Sequence, residues 1–228
     1  MNIVVMFLLF MIYSVIGWFM ETCLVSYKSD KVINRGFLIG PCCPIYGVGA
    51  VLIIIFLSKY NDDIVALFIM SCVFGAVLEY FTSYIMEKLF KTRWWDYSKN
   101  KYNINGRICL STTVCFGALG VFLIKVLNPF FMNLLNMFSP IILTIIASVL
   151  IIAFIVDIII SFNIISNIKD VDLSGYKDST EEISALVRDS LRNRSFLNKR
   201  LVNAFPNLKV TFHKNLKNFK NKRLYKDV

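Results

Sequence analysis

The amino-acid sequence predicts an all-α, polytopic membrane protein with about five transmembrane helices. The chain has 228 residues, of which 57% are hydrophobic, whereas soluble domains contain about 45–50% apolar residues. The mean hydropathy is +0.62. The apolar residues are concentrated in long runs, and a transmembrane helix needs about 20 such residues in succession. A polar, basic segment follows residue 166.

Five apolar runs predict the helices, in order, near residues 3–26, 37–57, 64–90, 108–127 and 140–165. The first run lacks the basic start and small-residue cleavage site of a signal peptide, so we expect a retained helix. The transmembrane domain is then residues 1–166, and the basic tail is residues 167–228.

Loops that are rich in lysine and arginine alternate along the chain with loops that have no net positive charge. The second loop balances Lys59 against Asp62 and Asp63, and the fourth, residues 128–139, carries no charge. Cytoplasmic loops are enriched in basic residues, so we expect the N-terminus outside and the first loop, third loop and tail inside. The basic residues of the first and third loops are Lys28, Lys31, Arg35, Lys91, Arg93, Lys99, Lys101 and Arg107.

Two helical hairpins share a pattern that predicts a tandem repeat. Gly17 stands four residues before Glu21, and Gly75 stands four residues before Glu79. Both hairpins would run from outside to inside and back, so the repeat would be parallel. Ordinary helix-packing glycines are the alternative. The other matched positions are Asn34 with Asn105, Arg35 with Arg107, and Tyr46-Gly47 with Phe116-Gly117.

Glu21 and Glu79 are the strongest candidates for a site, because a carboxylate inside a membrane helix costs about 2.5–3.5 kcal/mol on insertion scales. With Arg35 and Arg107 they predict an inward-opening polar cavity, acids on its wall and arginines at its mouth. Arginine suits carboxylates and phosphates, and either glutamate could hold a proton or cation. Alternatively, the glutamates only neutralise the arginines. Supporting candidates are Asn34, Pro41, Pro44, Tyr46, Trp95, Asp96, Asn105 and Asp157.

Five of these supporting candidates rest on local patterns. Pro41 and Pro44 break the start of the second helix, and a broken helix at membrane depth often lines a cavity. Asp157 is expected to be a helix-end residue that reaches the interface. Trp95 is expected to anchor at the interface, and Asp96 to cap a short helix or to pair with Arg93 or Arg107.

Other chemistry is not indicated. His213 is the only histidine and there is no CxxC pair, so we expect no metal site, and the six cysteines are interpreted as small buried hydrophobes. Nucleotide-binding glycine motifs are absent, so we expect no cofactor and no enzyme activity. The net charge of +10 resides in loops and tail, which argues against a nucleic-acid surface.

The tail is expected to contain an amphipathic helix. Ser179-Thr180-Glu181-Glu182 fits a capping box ahead of Ile183, and Pro206 would end the helix. The basic residues that follow, among them Lys214 and Lys217, suit anionic lipids of the inner leaflet. A solvated tail without a partner is the alternative.

Several motifs resemble the type IV family of ABC-transporter permeases (CmpB-like), which is bacterial. They are Gly17–Glu21, Asn34–Ala50, Leu78–Tyr80, Trp94–Ser98 and Asn103–Leu110. The match covers about residues 10–160, and Ala204–Lys209 is similar to endings seen in that family. The resemblance implies a transport role in the bacterial inner membrane, with ATP hydrolysis supplied by a separate subunit. It does not imply a substrate.

We therefore expect a transport component with an inward-facing site for a polar or anionic small molecule. One alternative is a membrane-embedded enzyme acting on lipid-linked phosphate, in which arginines would bind phosphate and a glutamate would act as general base. The other alternative is an interaction or regulatory protein whose tail is the working part.

Overall fold

The computed structural model describes residues 2–29, 34, 36–90, 92–166, 199–200, 203–204 and 209–210. Helices account for most of these residues, and the strands are only two residues long, so the predicted all-α fold is confirmed. Four helical stretches are long and apolar enough to cross a membrane: Ile3–Tyr27, Ile64–Phe90, Leu110–Asn136 and Pro140–Asn163.

Six α-helices and four short strands have both ends within the described residues, and residues 199–200 and 203–204 are also helical. The strands are β1 (Thr92–Arg93), β2 (Asn103–Ile104), β3 (Ile108–Cys109) and β4 (Lys209–Val210). A 3₁₀ turn, Ser58–Tyr60, follows the second helix. The helices are α1 (Ile3–Ser29), α2 (Pro44–Leu57), α3 (Ile64–Phe90), α4 (Leu110–Phe122), α5 (Asn128–Asn136) and α6 (Pro140–Ser166).

The second helix begins at Pro44, seven positions later than residue 37, where the apolar run predicted its start. Residues 37–43 are not helical. Proline suits the first turn of a helix, since it has no N–H to satisfy there, and Cys43 precedes it with a non-helical backbone, φ −121° and ψ 89°. At 1.5 Å per residue, α2 is about 21 Å long, which is less than the hydrocarbon thickness of about 30 Å.

The fourth predicted helix continues well past residue 127. A π-helical turn, Leu123–Leu127, joins α4 to α5, and the helical stretch ends at Asn136. Pro129 lies in the first turn of α5. Proline has no N–H to donate to the carbonyl four residues earlier, and the wider π-turn beside it accommodates this missing hydrogen bond. The expected loop of residues 128–139 is therefore mostly helix.

Close glycine contacts hold each hairpin together. A Cβ on Gly47 of α2 would collide with Ser14 of α1, and a Cβ on Gly117 of α4 would collide with Cys72 of α3. Ser14 and Cys72 are 58 positions apart, and Gly47 and Gly117 are 70 apart. Gly17 packs on Tyr46, and Gly75 packs on Phe116. The two glycines are again 58 positions apart, and the two aromatic residues are again 70 apart. These equivalent contacts support the predicted tandem repeat.

The helix α6 packs against α1 and leaves most of its surface uncovered. Its exposed residues include Ile141, Ile145, Val149 and Ile152. The helix is long enough to cross a bilayer, and outward-facing isoleucine and valine are suited to contact with lipid. The chain is thus a membrane protein whose two hairpins form the interior and whose last helix lies at the edge.

Described parts of the tail contact the transmembrane domain. The strand β4 pairs antiparallel with β1, with Thr92 opposite Val210. Ala204 is fully buried. The predicted tail helix, its capping box and the basic residues after Pro206 that suggested lipid binding lie outside the described residues, apart from Lys209.

Candidate functional site

A cavity of about 110 Å³ lies between the two hairpins. The first hairpin contributes Gly17 and Tyr46 to its wall, and the second contributes Gly75 and Glu79. Most of the wall is apolar, which differs from the polar cavity that the sequence predicts. The remaining lining residues are Tyr13, Ile16, Met20, Ile45, Gly49, Ala50, Leu52, Ile53, Phe74, Leu78, Phe116, Leu119, Gly120, Leu123 and Leu127.

Glu79 is the acidic group on this wall. It is only 5% exposed, and two hydroxyl groups hold its carboxylate. Tyr97 donates to Oε1 over 3.0 Å, and Thr112 donates to Oε2 over 3.1 Å. Within the described residues, Glu79 forms no ion pair. The carboxylate is therefore held in place by hydrogen bonds without a neighbouring positive charge.

Glu21 occupies the equivalent position in the first hairpin. The Tyr46 hydroxyl donates to its Oε1 over 2.6 Å. Burial, together with the charges of Glu79 and Glu21, raises the pKa of the Tyr97 phenol well above its usual value. Since Tyr46 and Glu79 line the same cavity, the structure brings Tyr46, with Glu21 bound to its hydroxyl, to the site of Glu79.

Arg107 does not lie beside Glu79. Its Nη1 is 2.8 Å from Oε2 of Glu87 and donates to Ser83 Oγ over 3.2 Å. Its guanidinium also lies over the rings of Tyr80 and Tyr84. With these partners Arg107 is part of the packing between α3 and the following loop, and it does not line the cavity. Arg35 lies outside the described residues.

The loop after α3 also contacts Glu87, the partner of Arg107. Arg93 pairs with Glu87 at 3.1 Å and with Asp96 at 3.8 Å, so Asp96 forms one of the two ion pairs that the sequence suggested. The Trp95 indole donates to the Arg107 carbonyl over 3.0 Å. Asn105 has a φ of +53° and Gly106 a φ of +64°, as the tight β2–β3 turn requires.

Asp157 fixes the broken segment ahead of α2. Its carboxylate accepts the backbone N–H groups of Ile39, at 2.9 Å, and Gly40, at 3.0 Å, and the Ser161 hydroxyl at 3.1 Å. We expected a helix-end residue at the interface, but Asp157 instead accepts backbone N–H groups of the non-helical segment that precedes α2. It belongs to the scaffold rather than to the cavity wall.

The other supporting candidates also have structural partners. The Asn34 amide oxygen accepts the Trp18 indole N–H at 2.7 Å, and the Asn105 amide donates to the Tyr80 hydroxyl over 3.0 Å. Pro44 opens α2, and Pro41 lies in the non-helical segment before it. Of the supporting set, only Tyr46 lines the cavity.

Three contributing residues were not among the sequence candidates. Tyr97 and Thr112 hold the Glu79 carboxylate, and Glu87 neutralises Arg93 and Arg107. Glu87 could have been suspected, because it is the second acid, after Glu79, in the run that forms α3. Hydroxyl residues in helices and loops are common, so Tyr97 and Thr112 carried no such signal.

The comparisons with known proteins agree with the motifs. No curated protein and no solved structure matches the chain. One family model does match, over residues 8–162, which is more than half of the chain and includes both hairpins and nearly all of α6. The chain therefore belongs to the family described as "Putative ABC-transporter type IV".

Proposed function

We propose that this protein is the membrane-spanning component of an ABC-type transport system and that the cavity between its hairpins receives the solute. The family and the four long apolar helices support the first part. The single observation that carries the second part is the buried Glu79 carboxylate on the wall of an otherwise apolar cavity.

The position of the cavity is typical of transport proteins. Many transporters place the substrate site where two structural repeats meet, near the middle of the membrane. Here Gly17 and Gly75, which are equivalent in the two hairpins, both line the cavity. A shift of one hairpin against the other would therefore change the shape of the site directly.

The polar residues of the site have separate roles in this proposal. Glu79 contacts the solute, and Tyr97 and Thr112 orient its carboxylate. Glu21 orients the Tyr46 hydroxyl, which also lines the cavity. Ionisable residues inside membrane proteins commonly mark such pathways.

ATP hydrolysis belongs to a separate subunit in this proposal, because the sequence contains no GxxxxGK[ST] motif. We place the protein in the bacterial inner membrane with its N-terminus outside, and its basic loops and tail on the cytoplasmic side with the ATP-binding subunit. An enzyme acting on phosphate receives less support, since Arg107 is already paired with Glu87.

The experiment is isolation of the tagged protein from its native membrane in a mild detergent, followed by mass spectrometry. We expect an ATP-binding subunit in a stoichiometric amount. ATP hydrolysis by the isolated complex should fall when Glu79 is replaced by glutamine, while Asp62→Asn, which removes an exposed charge outside the site, should leave it unchanged. Recovery of the protein without any ATPase would contradict the proposal.

A further inference from the structure

We infer that the cavity binds a lipophilic cation, a molecule with an apolar body and an ammonium group. This inference rests on the proposed function for the role of the cavity as a solute site. It replaces the anionic or polar solute that the sequence suggested. Three features support a cation: the charge of the wall, the aromatic rings on it, and the pairing of Arg107 away from the cavity.

The charge of the wall favours a positive ligand. Glu79 is the acidic residue that lines the cavity, and no lysine or arginine is among the described lining residues. An ionised carboxylate offers about four acceptor sites, and Tyr97 and Thr112 use one each. A charge in apolar surroundings is costly unless it is paired, so an ammonium group would complete the interactions of Glu79.

Aromatic rings surround the same space. Tyr46 and Phe116 line the cavity with their ring centroids 6.3 Å apart, and Phe74 and Tyr13 are also part of the wall. Aromatic faces attract cations, most strongly where water is excluded. Ammonium groups are recognised in proteins by such combinations of aromatic rings and a carboxylate, whereas the apolar remainder of the wall suits a hydrocarbon body.

An anion has no comparable partner here. Arg107 is held by Glu87 and Ser83 and packs over two tyrosine rings. Moving it to the cavity would remove the closer of the two ion pairs of Glu87, a carboxylate only 15% exposed, and leave that with Arg93 alone. The Arg107 guanidinium is therefore committed to the fold.

The test uses three probes of similar shape and different charge. They are benzyltrimethylammonium, its uncharged isostere neopentylbenzene, and benzylsulfonate. Binding to the purified full chain in an uncharged maltoside detergent is measured by saturation-transfer NMR titration, with detergent alone as the blank.

We expect benzyltrimethylammonium to bind at least tenfold more tightly than neopentylbenzene, and benzylsulfonate to bind least. Glu79→Gln should remove this preference, and Asp62→Asn, with the same change in net charge, should keep it. Phe74→Leu is the second variant, because it leaves the carboxylate in place. It should weaken binding of the cation severalfold and leave the uncharged probe unaffected.

Equal binding of the charged and uncharged probes, or tighter binding of benzylsulfonate, would overturn the inference. Absence of binding by all three probes would overturn it together with the solute site, while the ATPase isolation separately decides the transport role. Competition distinguishes two sources of the ammonium group. Displacement by soluble alkylamines supports a free solute, and displacement only by short-chain phosphatidylethanolamine would show a lipid headgroup and contradict a free solute.

Discussion

Nη1 of Arg107 lies 2.8 Å from Oε2 of Glu87, two turns of helix beyond Glu79. This pairing decides the electrostatics of the second hairpin. It leaves the carboxylate on the cavity wall with hydroxyl donors but without a cation among the described residues. It also connects α3 to the loop that follows, because Arg93 shares the same carboxylate at 3.1 Å.

Removing the Glu87 carboxylate, which pairs with both Arg93 and Arg107, should destabilise the protein. We expect Glu87→Gln to cost about 3 kcal/mol of unfolding free energy, because the Arg107 guanidinium, 11% exposed, loses its counter-charge. The Arg93 guanidinium, 20% exposed, keeps only Asp96, at 3.8 Å. The double variant Glu87→Gln, Arg107→Gln should cost less than the sum of the two single changes. Thermal unfolding in detergent checks this coupling, and strictly additive losses would contradict the ion pair.

Packing within each hairpin should depend on a glycine in its second helix, which is Gly47 in α2 and Gly117 in α4. Gly47→Ala and Gly117→Ala each place a methyl group against the facing helix, where Ser14 or Cys72 already occupies the space. We expect losses of about 1–3 kcal/mol from overpacking, measured by thermal unfolding. The control is Gly49→Ala, whose Cβ would lie 3.0 Å from Cδ2 of Leu78, the end of a flexible side chain. A larger loss at Gly49 would contradict the described packing.

The thiol of Cys109 should ionise near neutral pH. Burial alone would raise its pKa, but hydrogen bonds from Ser111, Asn100 and Thr112 outweigh burial and lower the pKa from 9.0 to about 7. The thiolate is thus favoured by the fold. Its contribution to stability is complete above about pH 9, the ordinary pKa of the thiol, and is lost as the pH falls through about 7.

The measurement for Cys109 is the ultraviolet absorbance of the thiolate against pH, in a variant that keeps only this cysteine. We expect a midpoint near pH 7, and Asn100→Ala should move it to higher pH because one donor to the sulfur is lost. A midpoint that stays unchanged in that variant would show that this hydrogen bond does not hold the thiolate.

The contact between the tail and the first loop should be measurable at single amides. Arg200 donates to the carbonyl groups of Gly36 and Leu38. Arg200→Ala should therefore speed hydrogen exchange in residues 36–40 severalfold, and Lys199→Ala, one position earlier, should not. Exchange that is equally fast in both variants, or unaffected in both, would contradict the described contact.

The helices and the two glutamates could be predicted from the sequence because both signals are local. A membrane helix shows itself as an apolar run, and an acid within such a run is conspicuous. The ends of α2 and α5 could not be read in this way. Hydropathy does not distinguish an apolar helix from the apolar non-helical segment before Pro44, nor does it show that a π-turn lets the chain pass Pro129.

Partners in space were harder to predict than the residues themselves. Arg107 could have met any acid on α3, and only the fold shows that it meets Glu87 rather than Glu79. The polar character of the cavity was overestimated for the same reason, since the arginines were assigned to its mouth. The pairing of Thr92 with Val210 joins positions far apart in the chain, and two-residue strands leave no periodic pattern to detect.

The pairing of β1 with β4 also implies an order of assembly. Residues 209–210 leave the ribosome after every described helix, so the loop that follows α3 receives its second strand only when the helices have already been made. Until then the backbone groups of Thr92 and Arg93 that face β4 have no strand to bind. Completion of the tail is thus a late step in the maturation of this loop, which holds Tyr97 against Glu79.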